Sequence, residues 1–157
     1  MKKVAIIQAR MTSTRLPGKV LMDLCGRPML TQQLRRIRHS TRVDAIVIAT
    51  TTNATDDPVV ALARGEGVAF FRGSEDDVLS RFIGAARQEK ADIIIRLTAD
   101  CPLIDAEVID RVVAEVEKIP GAVDYCISVP EASTAVLIAG GLLLMVFGRQ
   151  KLRFSPH

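Results

Sequence analysis

Three observations predict an α/β fold of three layers, a mostly parallel sheet with helices on both faces. Short runs rich in Val and Ile recur along the chain, longer stretches with helical spacing separate them, and the runs are too apolar to face water. Strands alternating with helices imply βαβ units, and strands apolar on both sides belong in parallel sheets. The expected architecture is Rossmann-like in that sense. VAIIQA at residues 4–9 is the first strand, and a helix follows over 28–38. AIVIAT at 45–50 is the second strand, followed by a helix over 57–64. VAFF at 68–71 is the third, and the helix over 76–90 has Ser74 or Asp76 as its start signal ahead of Val78 and Leu79. DIIIRLT at 92–98 is the fourth strand, each of the four reading as buried. The last helix, over 105–118, opens on Asp105 with Glu107 in its first turn, where a carboxylate favours the positive end of the helix dipole. In open sheets of this kind ligands bind at the carboxyl ends of the strands, so the loops after residues 9, 50 and 98 should gather there.

A chain of 157 residues fits one domain with a substantial core. Hydrophobic residues at 48% and charged residues at 25% argue against disorder. A net charge of +3 suits an anionic ligand but falls short of the Lys/Arg patches of a nucleic-acid binder. With one Tyr and no Trp, platforms for base stacking are scarce as well, so no nucleic-acid partner is expected. Cys25, Cys101 and Cys126 are too widely spaced for a disulfide framework and form no CxxC pair, which fits free thiols in a reducing compartment. His39 and His157, the only histidines, argue against a multi-histidine metal site or a catalytic triad. Lys2 and Lys3 precede an apolar run that Gln8 and Arg10 cut short, which reads as a strand rather than a signal peptide, so a cytoplasmic protein is expected.

IIQARMTSTRLPGKVL, residues 6–21, sets Arg10, Arg15 and Lys19 in one loop directly after an apolar strand. A plain connection needs turn residues, not concentrated charge. Holding a triphosphate needs fixed backbone donors plus cations that surround the transferring phosphoryl group. Arg10 and Arg15 can each grip two oxygens in a fork, and Lys19 supplies a mobile point charge. Thr12, Ser13 and Thr14 add hydroxyls, Gly18 lets backbone approach closely, and Pro17 stiffens the loop. Neither GxxxxGK[ST] nor GxGxxG occurs, so this is not a Walker P-loop or a dinucleotide fingerprint. A solvated basic loop is the alternative. RLTADCPLID, residues 96–105, places Asp100 just past an apolar strand, at the carboxyl edge and opposite the first loop. A carboxylate there can hold Mg²⁺, which takes one or two carboxylates with phosphate oxygens and water. Asp105 is better explained as a helix cap.

IIQARMTSTRLPGKVL, GRPML, VIATT, FRGSEDDVLSRF and RLTADCPLID, in this order, closely resemble the cytidylyltransferases of bacterial surface-sugar synthesis. The spore-coat polysaccharide branch is the nearest in look, with the CMP-sialic acid and CMP-KDO synthetases related to it. The resemblance covers about residues 1–126. It implies a glycosyltransferase-A-like fold and a reaction in which the anomeric hydroxyl of an acidic sugar attacks the α-phosphate of CTP and pyrophosphate leaves. It assigns Arg10, Ser13, Arg15, Lys19 and Thr98 to the nucleotide, Arg15 and Lys19 to catalysis as well, and Asp100 to Mg²⁺. Thr98 and residues 49–51 match more loosely, residues 72–74 fall in a segment that would face base or sugar, and no general base is implied.

The composition changes near Val129, and after Glu131 no acidic residue occurs. TAVLIAGGLLLMVFG at 134–148 precedes Arg149, Lys151 and Arg153. A spanning helix wants roughly 20 apolar residues with a basic flank, and this run is slightly short. Two readings stay open: a tail that associates with the inner membrane, or a terminal helix on the sheet or in a homodimer contact. The expected organisation is a nucleotidyltransferase domain over 1–128, incomplete relative to the family, and an apolar tail over 129–157. VPEAST with the run behind it resembles PEP-CTERM sorting signals, although Ala132 stands where a second proline is usual; a truncated or frame-shifted reading frame is the blander account. Loss of the family's second half is expected to spare nucleotide binding more than transfer, because orientation of the acceptor carries many orders of magnitude in rate.

Overall fold

The computed structural model describes residues 1–118 and the backbone of 125–128; the apolar run at 134–148, with both readings of it, lies outside the described residues. One parallel sheet contains β1 (Lys3–Gln8), β2 (Ala45–Thr51), β3 (Ala69–Gly73), β4 (Ile93–Thr98) and β5 (Tyr125–Ser128), in the order β3-β2-β1-β4-β5. The connecting helices are α1 (Met29–Ile37), α2 (Asp57–Gly65), α3 (Val78–Glu89) and α4 (Ala106–Glu117). β1 is central because its sequence tolerates no water on either side. Val4, Ala5, Ile6 and Ile7 are all 0% exposed, with Val4 in register between Ala45 and Ile94.

Strand alternation divides the core. Ala5 and Ile7 join Ile48, Ile93 and Ile95 on one face, under Leu30, Leu34 and Ile37 of α1, Val59 and Ala63 of α2, and Ile109 and Val113 of α4. Val4 and Ile6 join Val47 and Ile94 on the other, under Phe82, Ala85 and Ala86 of α3. Helices on both faces of a parallel sheet are the expected three layers. The chain walks from β1 to β3 in one direction and resumes at β4 on the opposite side of β1, which makes the gap between β1 and β4 the topological switch point.

Three expectations need correction. β3 is only partly covered, since it has β2 alone as a neighbour. The cap of α3 is Asp77, whose Oδ1 accepts from Ser80 N at 2.8 Å, while Ser74 Oγ accepts from Asp77 N one turn earlier. A fifth strand forms at 125–128, where YCIS is too short to announce itself.

Candidate functional site

The first loop leaves the buried end of β1 and is folded by its own backbone. Gly18 N donates to Met11 O at 2.9 Å, closing residues 11–18 into a compact turn. Gly18 has φ +72, which a side chain adopts only with strain, and that explains the glycine beside Pro17. A 3₁₀ turn at Lys19–Leu21 follows, with Val20 buried, so the backbone at Lys19 is anchored while its side chain stays half-buried at the edge. On the far side of the switch point, Ala99 N donates to Gln8 O at 3.1 Å, extending the β1–β4 ladder by one residue and delivering Asp100 to the same edge. Gln33, wholly buried on α1, donates to Thr98 O at 2.8 Å and fixes the end of β4.

The result is a direct contact. Lys19 Nζ lies 2.7 Å from Asp100 Oδ2, across 81 residues of sequence. The hydrogen bond from Lys19 holds the Asp100 carboxyl below its ordinary range, with burial working against it. Thr98 Oγ1 sits 3.3 Å from Cys101 Sγ in the same corner. Arg15 is exposed on the loop, and among the described residues it has no hydrogen-bond or ion-pair partner. Ser13 Oγ accepts from Leu16 N at 3.5 Å, a weak turn contact that leaves its hydroxyl proton available.

Arg10 does not join Lys19. It points towards the β3 side, where Nη1 is 3.4 Å from Glu75 Oε1. Glu75 also accepts from Thr12 Oγ1 at 2.5 Å and from Asn53 Nδ2, and the Thr12 bond, ahead of the Asn53 bond and the Arg10 charge, keeps its carboxyl low against burial. Beneath this cluster Arg81, 1% exposed, donates from Nη1 to Ser74 O, and its Nε and Nη2 find no partner among the described residues. Asp56, 0% exposed, ties the loop to β2: it accepts from Met11 N at 2.7 Å, Thr51 N at 3.1 Å, Thr51 Oγ1 at 2.5 Å and Thr50 Oγ1 at 3.0 Å. Burial would push this carboxyl up, but the four donors together bring it below its usual value.

The residues brought together are therefore Lys19, Asp100 and Thr98 on one flank, and Arg10 and Thr12 on the other; Arg15 and Ser13 lie on the same loop without a contact to either group among the described residues. Glu75, Asp56, Asn53 and Arg81 escaped the reading of the sequence. FRGSEDD and TTNATDD follow strands, as RLTAD does, and that placement was the available signal. Among the described residues no three His, Cys, Asp or Glu side chains converge as a metal cage. A single exposed carboxylate next to one ammonium suits an ion that takes most of its ligands from phosphate oxygens and water, as Mg²⁺ does.

A model of the cytidylyltransferase family matches residues 4–139. Over 109 residues the chain is 46% identical to the spore coat polysaccharide biosynthesis protein SpsF of Bacillus subtilis, covering 67% of this chain and 45% of that one. A cytidylyltransferase structure from Leptospira borgpetersenii superposes with a TM-score of 0.74 at 40% identity, over 77% of this chain and 51% of the other. A CMP:2-keto-3-deoxy-manno-octonic acid synthetase complexed with CTP superposes with a TM-score of 0.66 at 28% identity, over 77% and 49%. The chain spans about half the length of the curated relatives it matches. Sheet order, loop sequence and these likenesses agree, and the chain belongs to the cytidylyltransferase family.

Proposed function

We propose that the carboxyl edge of β1 and β4 binds CTP with Mg²⁺, and that residues 1–128 form the nucleotide half of a site that transfers CMP to an acidic sugar. The observation that carries this is the Lys19–Asp100 contact at 2.7 Å, an ammonium and a carboxylate held together at the switch point, the two groups this reading assigns to phosphate and to metal. Arg15 and Lys19 donate to phosphate oxygens, and their charge opposes what accumulates there as pyrophosphate leaves. Ser13 and Thr98 supply hydroxyl contacts, and Arg10, aimed at the β3 side, reaches the nucleotide from the other flank. Asp100 is the residue that would hold Mg²⁺, and the ion, when bound, neutralises the triphosphate's charge.

Two relatives support the substrate reading: one structure similar over this region is named as complexed with CTP, and it and a Geobacter sulfurreducens relative are named for an eight-carbon sugar acid. No described helix is long and apolar enough to cross a membrane, and a cytoplasmic site of action, where nucleoside triphosphates are made, fits the substrate. Calorimetric titration of CTP with Mg²⁺, beside ATP and GTP, tests the reading. Selective CTP binding that Arg15→Ala weakens supports it; a folded protein that binds none of the three refutes it.

A further inference from the structure

We propose that the Lys19–Asp100 pair is a latch that couples divalent metal to triphosphate, so that the two ligands enter as one complex. The inference rests on the nucleotide reading above. The cation that would grip phosphate lies on the carboxylate that would grip metal, at 2.7 Å. Metal alone must drive an ammonium off Asp100 Oδ2. Triphosphate alone must draw Lys19 away and leave an ionised carboxylate beside phosphate oxygens. A metal–triphosphate complex meets both demands, because Lys19 moves to a phosphate oxygen as Asp100 moves to the metal, and no charge is stranded.

The backbone confines this exchange to side chains. Lys19 sits between the bonded Gly18 and the buried Val20, and Asp100 follows the ladder bond from Ala99 to Gln8. The other loop cations make no such link: Arg10 is held by Glu75 on the opposite flank, and Arg15 has no partner among the described residues. Coupling of this kind is reciprocal, so each ligand raises the other's affinity by one shared factor. The pair is partly exposed, at 29% for Lys19 and 42% for Asp100, so the factor is modest. An exposed ion pair supports about two- to fivefold.

Mn²⁺ titrated without nucleotide, followed by water-proton relaxation, reads the latch directly. Lys19→Ala is expected to bind Mn²⁺ about two- to fivefold more tightly than the unmodified chain. Arg15→Ala, which removes the same charge without that bond, should shift the affinity less. In EDTA, Asp100→Asn should bind CTP more tightly than the unmodified chain, and added Mg²⁺ should reverse the order. Unchanged or weaker Mn²⁺ binding in Lys19→Ala, or an equal gain in Arg15→Ala, overturns the latch. So does Mn²⁺ binding too weak to detect in every variant while Mg²⁺–CTP still binds, an outcome that leaves the nucleotide site standing. An unmodified chain that binds Mn²⁺ but no CTP removes the nucleotide reading and the coupling with it.

Discussion

Asp56→Ala is the substitution whose cost the structure determines most fully. The carboxylate is 0% exposed and takes four donors: two backbone N–H groups, from Met11 and Thr51, and two hydroxyls, from Thr50 and Thr51. A hydrogen bond to a charged group contributes about 1.5–3 kcal/mol, but four such values do not add, because donors left behind relax towards water or each other. Removing one side of a buried charged network costs about 3–5 kcal/mol, and that is the loss expected. Against a typical total of about 5–15 kcal/mol this is about a fifth or more of the stability. At about 2–4 °C per kcal/mol for a chain of this size, Tm falls by roughly 6–20 °C.

Asp56→Asn keeps the shape and the acceptor for Met11 N, but turns an amide towards three donors, so a loss of about 2–3 kcal/mol is expected. The pH dependence separates charge from shape. The folded carboxyl lies below its ordinary value, so its contribution is complete above the unfolded pKa of about 3.9 and disappears as pH falls through the folded value. The gap between the unmodified chain and Asp56→Asn should therefore be constant near neutrality and narrow below about pH 4. Urea unfolding followed by far-UV circular dichroism, repeated from pH 7 to pH 3, measures both. A loss under about 1 kcal/mol in Asp56→Ala, or a gap that stays flat to pH 3, refutes the reasoning.

Gly84→Ala places a Cβ inside contact distance of three atoms of the Phe71 ring. Overpacking of about 1–3 kcal/mol should outweigh the gain of about 1 kcal/mol in helix propensity, lowering the urea midpoint at unchanged m-value; a raised midpoint would mean that the ring yields. Arg15→Ala should weaken CTP binding at least about tenfold and flatten its salt dependence, while stability stays within about 0.5 kcal/mol, as for an exposed side chain with no partner among the described residues. Equal salt slopes in both proteins would contradict that. Asp110 accepts from Ser40 Oγ, Thr41 N, Thr41 Oγ1 and Arg42 N, holding the loop into β2 against α4. Asp110→Ala should cost about 1–2 kcal/mol in unfolding experiments and leave CTP affinity unchanged; a parallel loss of affinity would place this contact in the site.

The apolar runs announced four of the five strands among the described residues because β1, β2 and β4 are buried on both faces, which leaves little room for polar residues. β3 was found with its limits shifted, since an edge strand needs less apolar sequence. Lys19 and Asp100 were legible for a topological reason: both follow strands, and the strand order sets β1 beside β4. Arg10 was grouped with them by nearness in sequence, but a side chain at the end of β1 can turn to either neighbour, and Thr12 and Asn53 had already oriented Glu75 on the β3 side. Asp56 and Arg81 could not be recognised, because sequence shows a charge without showing that it will be buried among donors or carbonyls from elsewhere.

The position of the nucleotide is the central claim, and amide chemical-shift mapping with Mg²⁺–CTP tests it most directly. Residues 9–19 and 98–101 should shift together at one stoichiometry, with Arg15→Ala removing the response. The cleft between α1 and α4 lined by Cys25, His39 and Leu103 should stay silent. Shifts confined to that cleft, with residues 9–19 unmoved, would contradict the account.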